Sequence, residues 1–277
     1  MPRSETVSAV HCTTVLDRRE PANGVIVLGL HAPQLAHVTR PGHFVMVVPP
    51  SGQRAATALG IYEAHHQRIS IMFVVCGSRT RELAQLHVGE QVDLFGPLGN
   101  GFDLSSNPKS VAIVAGGVGL ASVLLPAKSV LSAGGHVRLY YGARTKSLLV
   151  DAEIFSAAGC QVECATDDGS QGFHGYVTEL VRESPDLPEL IIGCGPSPML
   201  RALGRVAQAR GVRAQLSLEE TFACGVGACW GCVVPISSNS VQAPGFPRVL
   251  PSQSQREYVY ARICRDGPVF WSDELRW

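Results

Sequence analysis

Three cysteines within one short stretch, Cys224-Gly-Val-Gly-Ala-Cys229-Trp-Gly-Cys232, constrain this chain more than any other feature of its sequence. The spacing C-x4-C-x2-C is the plant-type pattern for holding a 2Fe-2S cluster, and it requires a fourth thiolate from further along the chain. Cys264, in Arg262-Ile-Cys-Arg-Asp-Gly-Pro-Val-Phe270, is the candidate. Gly225, Gly227, Ala228 and Gly231 fill the gaps. A loop wrapped round inorganic sulfide must bring backbone N–H groups close to sulfur, and small residues permit that approach. Two other uses of the cysteines stay open. A structural zinc site also takes four thiolates, but usually from two short pairs rather than from three together and one 32 residues on. Disulfides need an oxidising compartment, and Met-Pro-Arg-Ser-Glu-Thr at the start lacks the apolar run of a secretory signal.

The other cysteines, at 12, 76, 160, 164 and 194, are scattered through apolar stretches and form no paired framework. Free cysteine behaves mostly as a small hydrophobe, and an odd total suits a reducing compartment, so a cytoplasmic location is expected. With 45% apolar and 17% charged residues, a chain of 277 residues is long enough for two or three compact units. The 23 basic and 23 acidic residues cancel. No global field therefore favours nucleic acid or an anionic membrane. The apolar runs fall short of the roughly 20 residues that span a bilayer.

Along the chain, three regions differ in rhythm. Residues 1–104 show short β-rich runs, among them Val25–Leu28, Phe44–Val48, Ile69–Val75 and Val92–Phe95, separated by Pro/Gly loops. That pattern predicts an antiparallel β-barrel with one short helix near Thr80–Leu86. Residues 105–215 alternate strand and helix: an apolar strand at Val111–Ala115, a helix from Leu120 to Leu131, strands near 137–141, 160–164 and 190–194, and a helix at Val177–Arg182. Alternation of this kind predicts a parallel sheet covered on both faces, an α/β domain with its ligand at the carboxyl ends of the strands. Residues 216–277 carry the cysteines, and the Ser/Pro/Gln-rich stretch from Ile236 to Gln255 reads as a surface loop.

Gly116-Gly117-Val-Gly119 falls between an apolar strand and a predicted helix, where a dinucleotide's pyrophosphate can approach the backbone and meet N–H donors. A second glycine-containing strand end, Gly193-Cys194-Gly195-Pro196-Ser-Pro-Met199, follows in the same sheet. Asp167 and Asp168 read as turn formers before Gly169. The adjacent His65 and His66 have no third ligand nearby in sequence and indicate no metal.

Taken in order, these motifs, with Tyr141-Gly-Ala-Arg144, Thr166-Asp-Asp-Gly-Ser-Gln-Gly172, Ser217-Leu-Glu-Glu220 and the Asp-Gly-Pro-Val-Phe tail after Cys264, resemble the electron-transfer subunits of class 1B dihydroorotate dehydrogenases. Those subunits form part of the ferredoxin-NADP reductase superfamily, and the resemblance covers nearly the whole chain. It implies a ferredoxin-reductase-like fold: an FAD-binding β-barrel, an α/β domain for a nicotinamide nucleotide and a C-terminal 2Fe-2S module. It also implies NAD(P)H-dependent electron transfer to a catalytic flavoprotein dehydrogenase partner, in a heterotetramer serving pyrimidine biosynthesis. By position, Gly116, Gly117 and Gly119 match the phosphate turn for NAD(H), and Cys194, Gly195, Pro196 and Met199 match the segment near the nicotinamide. Ser122 stands where relatives commonly have proline, with little consequence expected. Cys194 is expected to be a packed strand-end residue, and no side chain need act as a catalytic acid or base.

The flavin segment departs from the pattern. Relatives carry Arg-x-x-Ser before an Ile-Tyr-like strand end; Thr57 and Gly60 occupy those positions here. Arg54 precedes them, Pro41-Gly-His-Phe44 resembles a Pro-Gly-Gln-Phe opening, and Gly77-Ser-Arg79-Thr80 resembles a Gly-x-Gly-Thr turn that meets the pyrophosphate. Arg79 offers a charge that the lost arginine would have supplied. Three functions stay open on these residues: the dehydrogenase subunit, a reductase for an oxygenase or tailoring enzyme, and a flavin-deficient, cluster-bearing interaction subunit.

Overall fold

The computed structural model describes residues 9–52, 55–238 and 258–277. The first strands form because apolar residues recur between turn formers. β2 (Val25–His31) and β5 (Arg68–Val74) bury nearly every residue between them. They join β1 (Ala9–Ala22), β3 (Phe44–Val47), β4 (Thr57–His65) and β6 (Gln91–Leu98) in a closed barrel of order β1-β2-β5-β4-β3-β6. Every neighbouring pair is antiparallel, and β6 closes on β1. Closure removes both sheet edges. Two short helices, α1 (Pro33–Val38) and α2 (Ser78–Leu83), occupy connections, and Leu35 and Leu83 anchor them in the barrel interior.

The second sheet runs in the order β10-β9-β8-β7-β11-β12-β15. Its parallel strands are β7 (Ser110–Gly116), β8 (His136–Ala143), β9 (Gln161–Thr166), β10 (Phe173–His174), β11 (Leu190–Cys194) and β12 (Ala214–Ser217). Successive β7 residues enter different cores, Val111, Ile113 and Ala115 on one face and Ala112 and Val114 on the other. This two-sided burial is why the strand reads as an unbroken apolar run. Helices α3 (Leu124–Ser132) and α4 (Ala152–Ala158) contribute to the first face, α5 (Val177–Glu183) and α6 (Ser197–Ala209) to the second. The expected β-barrel plus α/β architecture is thus observed. Among the described residues no helix is long and apolar enough to cross a membrane.

One local difference concerns the turn after β7. Instead of a helix starting at Leu120, residues Gly117–Ser122 form a 3-10 turn, Val123 breaks it, and α3 begins afterwards with Pro126 in its first turn. Proline has no N–H and is accommodated only where the helix leaves that donor unused.

The cysteine-bearing segment forms β13 (Val233–Ser237), paired antiparallel with β14 (Tyr258–Arg262), then the single turn α7 (Ile263–Asp266) and β15 (Val269–Trp271). β15 runs antiparallel against β12 and supplies the edge of the large sheet. Of the expected loop at Ile236–Gln255, Ile236 and Ser237 end β13, and residues 239–255 lie outside the described residues.

Barrel and sheet are joined by a charged cluster that neither could form alone. Asp151 is 4% exposed and adopts φ 56° immediately before α4, a conformation aspartate tolerates better than most residues. Its Oδ1 accepts from Arg19 Nη1 of β1 at 2.7 Å, and its Oδ2 accepts from Arg19 Nη2 and, at 2.9 Å, from Tyr62 Oη of β4. Burial, with Asp151 alongside, raises the Tyr62 phenol above its ordinary pKa and keeps it a donor. Removing the carboxylate would leave a buried phenol unpaired. We expect Asp151→Ala to lose about 2–4 kcal/mol of stability. Asp17→Ala, which breaks an exposed pair with Arg68, should lose less than about 1 kcal/mol. Denaturant titration of both variants measures the contrast, and equal losses would show that Asp151 does not join the domains.

Candidate functional site

In the order β9-β8-β7-β11-β12 the chain leaves β7 towards β8 on one side, while β11 lies on the other. A crevice must open between the carboxyl ends of β7 and β11, the position where open α/β sheets bind ligands. The two strand ends meet there backbone to backbone. A Cβ on Gly119 would lie 2.4 Å from Cys194 O, and one on Gly195 would lie 3.0 Å from Gly116 N. Gly117 has φ +53° with open space around it. Above this contact lies a cavity of about 720 Å³. Gly116, Gly117, Pro196 and Met199 line it, whereas Gly119, Cys194 and Gly195 form the packed floor beneath. Three side chains that the sequence did not single out as ligands, Arg144, Asp167 and Tyr176, also face this cavity. Asp168 instead accepts from the N–H and hydroxyl of Ser170, as a turn former does.

A second cavity, of about 460 Å³, lies between the barrel and the sheet. Thr57, Gly60 and Thr80 line it, with His43 and Ser122. Val74, Val118 and Glu219 line both cavities, so the two adjoin. Among the described residues Thr57 Oγ1 is a buried polar atom with no hydrogen-bond partner, which is what a hydroxyl reserved for a ligand looks like. Thr80 Oγ1 accepts from the N–H groups of Cys76 and Gly77 at 3.0 Å and holds that turn. Gly77 and Arg79 do not line the cavity, and Arg79 Nη1 donates to Ala56 O at 3.0 Å, beside the start of β4. Arg54 lies outside the described residues.

The polar groups at this junction are coupled. Cys194, fully buried at the end of β11, donates to Glu219 Oε1 at 3.6 Å, and the hydroxyls of Ser122 and Ser217 contact the same sulfur. Burial, then the Glu219 charge, raises the thiol far above its ordinary pKa, so it stays protonated. Glu219 is solvent-exposed as a residue, yet protein packs around its carboxyl where the two cavities adjoin. That enclosure raises its pKa, against the opposing hydrogen bond from Cys194. The sequence marks Glu219 only as part of Ser217-Leu-Glu-Glu220 and gives it no role, because its partner Cys194 lies far away in the chain.

The residues that wall the second cavity run directly into the cysteine loop. Leu218–Phe222 line the cavity, Phe222 packs at a tilt against Phe44 of β3 with 5.1 Å between ring centroids, and Cys224 follows. None of the nine cysteines is in a disulfide. Cys229 N–H donates to Cys224 Sγ at 3.4 Å, and Gly231 N–H to Cys229 Sγ at 3.4 Å. Across β13 and β14, Cys264 N–H donates to Cys232 Sγ at 3.5 Å. Burial opposes the Cys224 thiolate, but N–H donors of Cys229, Val226 and Ala228 outweigh it and bring the thiol down to about 6. Such donors are what a thiolate bound to iron and sulfide needs. Positive φ values at Gly225, Gly227 and Trp230 coil the loop, and a Cβ on Gly225 or Gly227 would strike Met46 or Arg265. Arg262 braces it from behind, donating to Gly227 O at 3.1 Å, pairing with Asp266 and lying 4.6 Å from the Trp230 ring centre. Among the described residues no three His, Cys, Asp or Glu side chains take a single-ion arrangement.

Comparison with known proteins identifies the chain's relatives. It is 34% identical over 268 residues to the electron transfer subunit of dihydroorotate dehydrogenase B (NAD(+)) from Bacillus caldolyticus, covering 95% of this chain and 96% of that one. The chain belongs to the family of dihydroorotate dehydrogenase B electron transfer subunits. Another member, from Caldanaerobacter subterraneus subsp. tengcongensis, is 34% identical over 85% of this chain and 86% of its own length. Among solved structures, that of an NADH-dependent reduced ferredoxin-NADP oxidoreductase superposes with a TM-score of 0.78 at 26% identity, covering 96% of this chain and 90% of that one. The cytochrome b5 reductase domain of Ulva prolifera nitrate reductase shares the fold, with a TM-score of 0.62 at 17% identity over 73% of this chain and 94% of its own. No family model matches the chain. Membership of this family makes the chain an oxidoreductase subunit that transfers electrons.

His43 gives the barrel-side cavity a pH signature. Arg40 N–H donates to its Nδ1 at 3.1 Å, and burial, with Arg40 nearby, lowers its pKa to about 4. The unfolded chain takes up this proton near about pH 6.5. Stability contributed by neutral His43 is therefore complete above that pH and is lost as pH falls through the folded value. We expect His43→Gln to flatten the stability curve between about pH 6.5 and 4 in chemical denaturation. An unchanged slope would show that another group titrates there.

Proposed function

We propose that this chain takes electrons from NADH at the cleft above Gly116 and Gly117 and passes them through FAD in the barrel-side cavity. From there they reach a 2Fe-2S cluster on Cys224, Cys229, Cys232 and Cys264, then a catalytic dehydrogenase subunit that oxidises dihydroorotate in pyrimidine synthesis. The observation that carries this reading is the continuity of the three sites. The cavities share a wall, and the segment lining the second continues into the cysteine loop. When bound, FAD takes up the two electrons of a hydride together and releases them singly, and the cluster carries one at a time. The protein's part is placement. Gly116 and Gly117 leave the nucleotide a bare backbone, Pro196 and Met199 confine it, and Val74 and Val118 form part of the wall that the cavities share.

At the phosphate turn the six-residue 3-10 segment offers backbone N–H groups rather than a long helix dipole. Thr57, Gly60 and Thr80 would hold FAD. Arg79, tethered to Ala56 O, is the nearby cation on which the pyrophosphate depends, with Arg54 and Gly77 as the remaining sequence candidates. The cysteine set suits a cluster better than zinc, since three thiols sit together at C-x4-C-x2-C and the fourth lies 32 residues on. The relatives' names fit a heteromeric assembly with a separate catalytic subunit, and we assign a heterotetramer in the cytoplasm. The domain division 1–104, 105–215 and 216–277 follows the same three roles.

Two outcomes test the reading. The purified protein should show flavin absorbance that bleaches on anaerobic addition of NADH, and Gly117→Val, which forces a β-branched residue into φ +53°, should abolish the bleaching. Cys229→Ser should lose the cluster's iron and acid-labile sulfide while leaving NADH-dependent flavin reduction in place. A protein with cluster absorbance but no extractable flavin would refute the electron path. Unchanged iron and sulfide in the serine variant would refute the ligand set.

A further inference from the structure

Gly60 lies inside β4, outside the positive-φ region, where any residue could sit. A glycine inside a strand weakens it, and it often marks a place where another group comes unusually close. That group is Ser122. A Cβ on Gly60 would stand 2.7 Å from Ser122 Oγ, closer than a Cβ comes to a neighbouring atom, so the hydroxyl would have to turn out of its present place. Ser122 ends the 3-10 turn that follows β7, so the hydroxyl that fills this space comes from the α/β domain and not from the barrel.

The surroundings give the hydroxyl a direction. Gly60 and Ser122 line the barrel-side cavity together. The Ser122 hydroxyl contacts the Cys194 sulfur, and Cys194 donates its proton to Glu219, which lines both cavities. A hydroxyl has one proton and two lone pairs, so contact with sulfur leaves Ser122 Oγ with capacity to spare on the cavity side. Its neighbours in the cavity wall include Val118, which also borders the nucleotide cavity. Hydride transfer requires the two reacting rings to touch. The part of the flavin that lies against this shared wall must therefore be the ring, and not its phosphates or adenine.

On the reading that FAD occupies this cavity, we propose that Ser122 supplies the hydroxyl contact to the flavin ring and that Gly60 is glycine in order to admit it. The ring's polar partner then belongs to the nucleotide-binding domain, fixed to the same turn that carries Gly117. Ser122 acts on the ring's environment and orientation, and the hydride passes directly between the rings.

The swap is testable in the full-length holoprotein with Ser122→Ala, Gly60→Ser and the double variant. Flavin content, the visible spectrum, flavin affinity by fluorescence quenching and the single-turnover rate of reduction by NADH are measured for each. Ser122→Ala should keep its flavin, shift the flavin absorbance band and slow reduction about fivefold to tenfold, the order of one lost hydrogen bond. Gly60→Ser should weaken flavin binding about tenfold, because its side chain turns the Ser122 hydroxyl away from the ring. The double variant offers a hydroxyl from the opposite wall with the collision removed. It should regain affinity relative to Gly60→Ser and rate relative to Ser122→Ala. An unshifted spectrum with an unchanged reduction rate in Ser122→Ala overturns the proposal, as does a double variant whose losses simply add. If Gly60→Ser does not fold, the spectrum and rate of Ser122→Ala decide alone. A wild-type protein that binds no flavin sinks the electron path itself, which distinguishes the two failures.

Discussion

The close approach of two strand ends governs the rest of the molecule. Gly119 lies so near Cys194 O that even a methyl group would force β7 and β11 apart. Because they are not forced apart, the turn after β7 lies flat on the end of β11, and the space above becomes a cleft with a backbone floor. The same contact carries Ser122 to the barrel and brings Cys194 beneath the junction of the cavities. A side chain at this crossing would displace the floor of the cleft and the barrel-side wall together.

The second constraint is rigid registry between barrel and sheet. Buried residues of β2, β4 and β5, namely Val25, Val27, Tyr62 and Met72, share a core with β7, β8 and α3. Apolar packing of this kind tolerates small rotations. A carboxylate held by two arginine nitrogens and a phenol does not, because its hydrogen bonds weaken steeply with angle. The apolar surface therefore holds the domains together, and Asp151 fixes their angle. Adjoining cavities need such an angle, since reacting rings must meet to within fractions of an ångström.

Legibility in sequence followed how local each signal was. β2, β3, β5 and β6 were readable because apolar runs end in Gly/Pro loops, and the alternation of β7 to β11 with helices indicated a parallel sheet. β1 was not: it carries Asp17, Arg18, Arg19 and Glu20, and only Thr13 and Val15 along it are buried. α6 was not read either, although Met199, Leu200, Leu203, Val206 and Ala207 recur at helical spacing, because Pro196 and Pro198 at its start read as a strand-end loop. The cysteine loop declared itself through spacing, a property of one short segment. Glu219, Asp151 and the Gly60–Ser122 pair did not, because each acquires meaning only from a residue brought to it by the fold. Ser122 seemed inconsequential in sequence for that reason.

The cysteine segment leaves the large sheet after Ser217 and rejoins it at Val269, and these two residues are register partners across β12 and β15. The excursion is thus a stitch whose two ends are tied by the sheet's own edge ladder. Anything that tugs on the loop, a docking subunit included, loads the β12·β15 seam before it can move the cysteines relative to the cavities. On the proposed path the exit is thus tied to the edge of the seven-stranded sheet, so a partner pressing on it meets the stiffness of that sheet and not that of a tethered lobe.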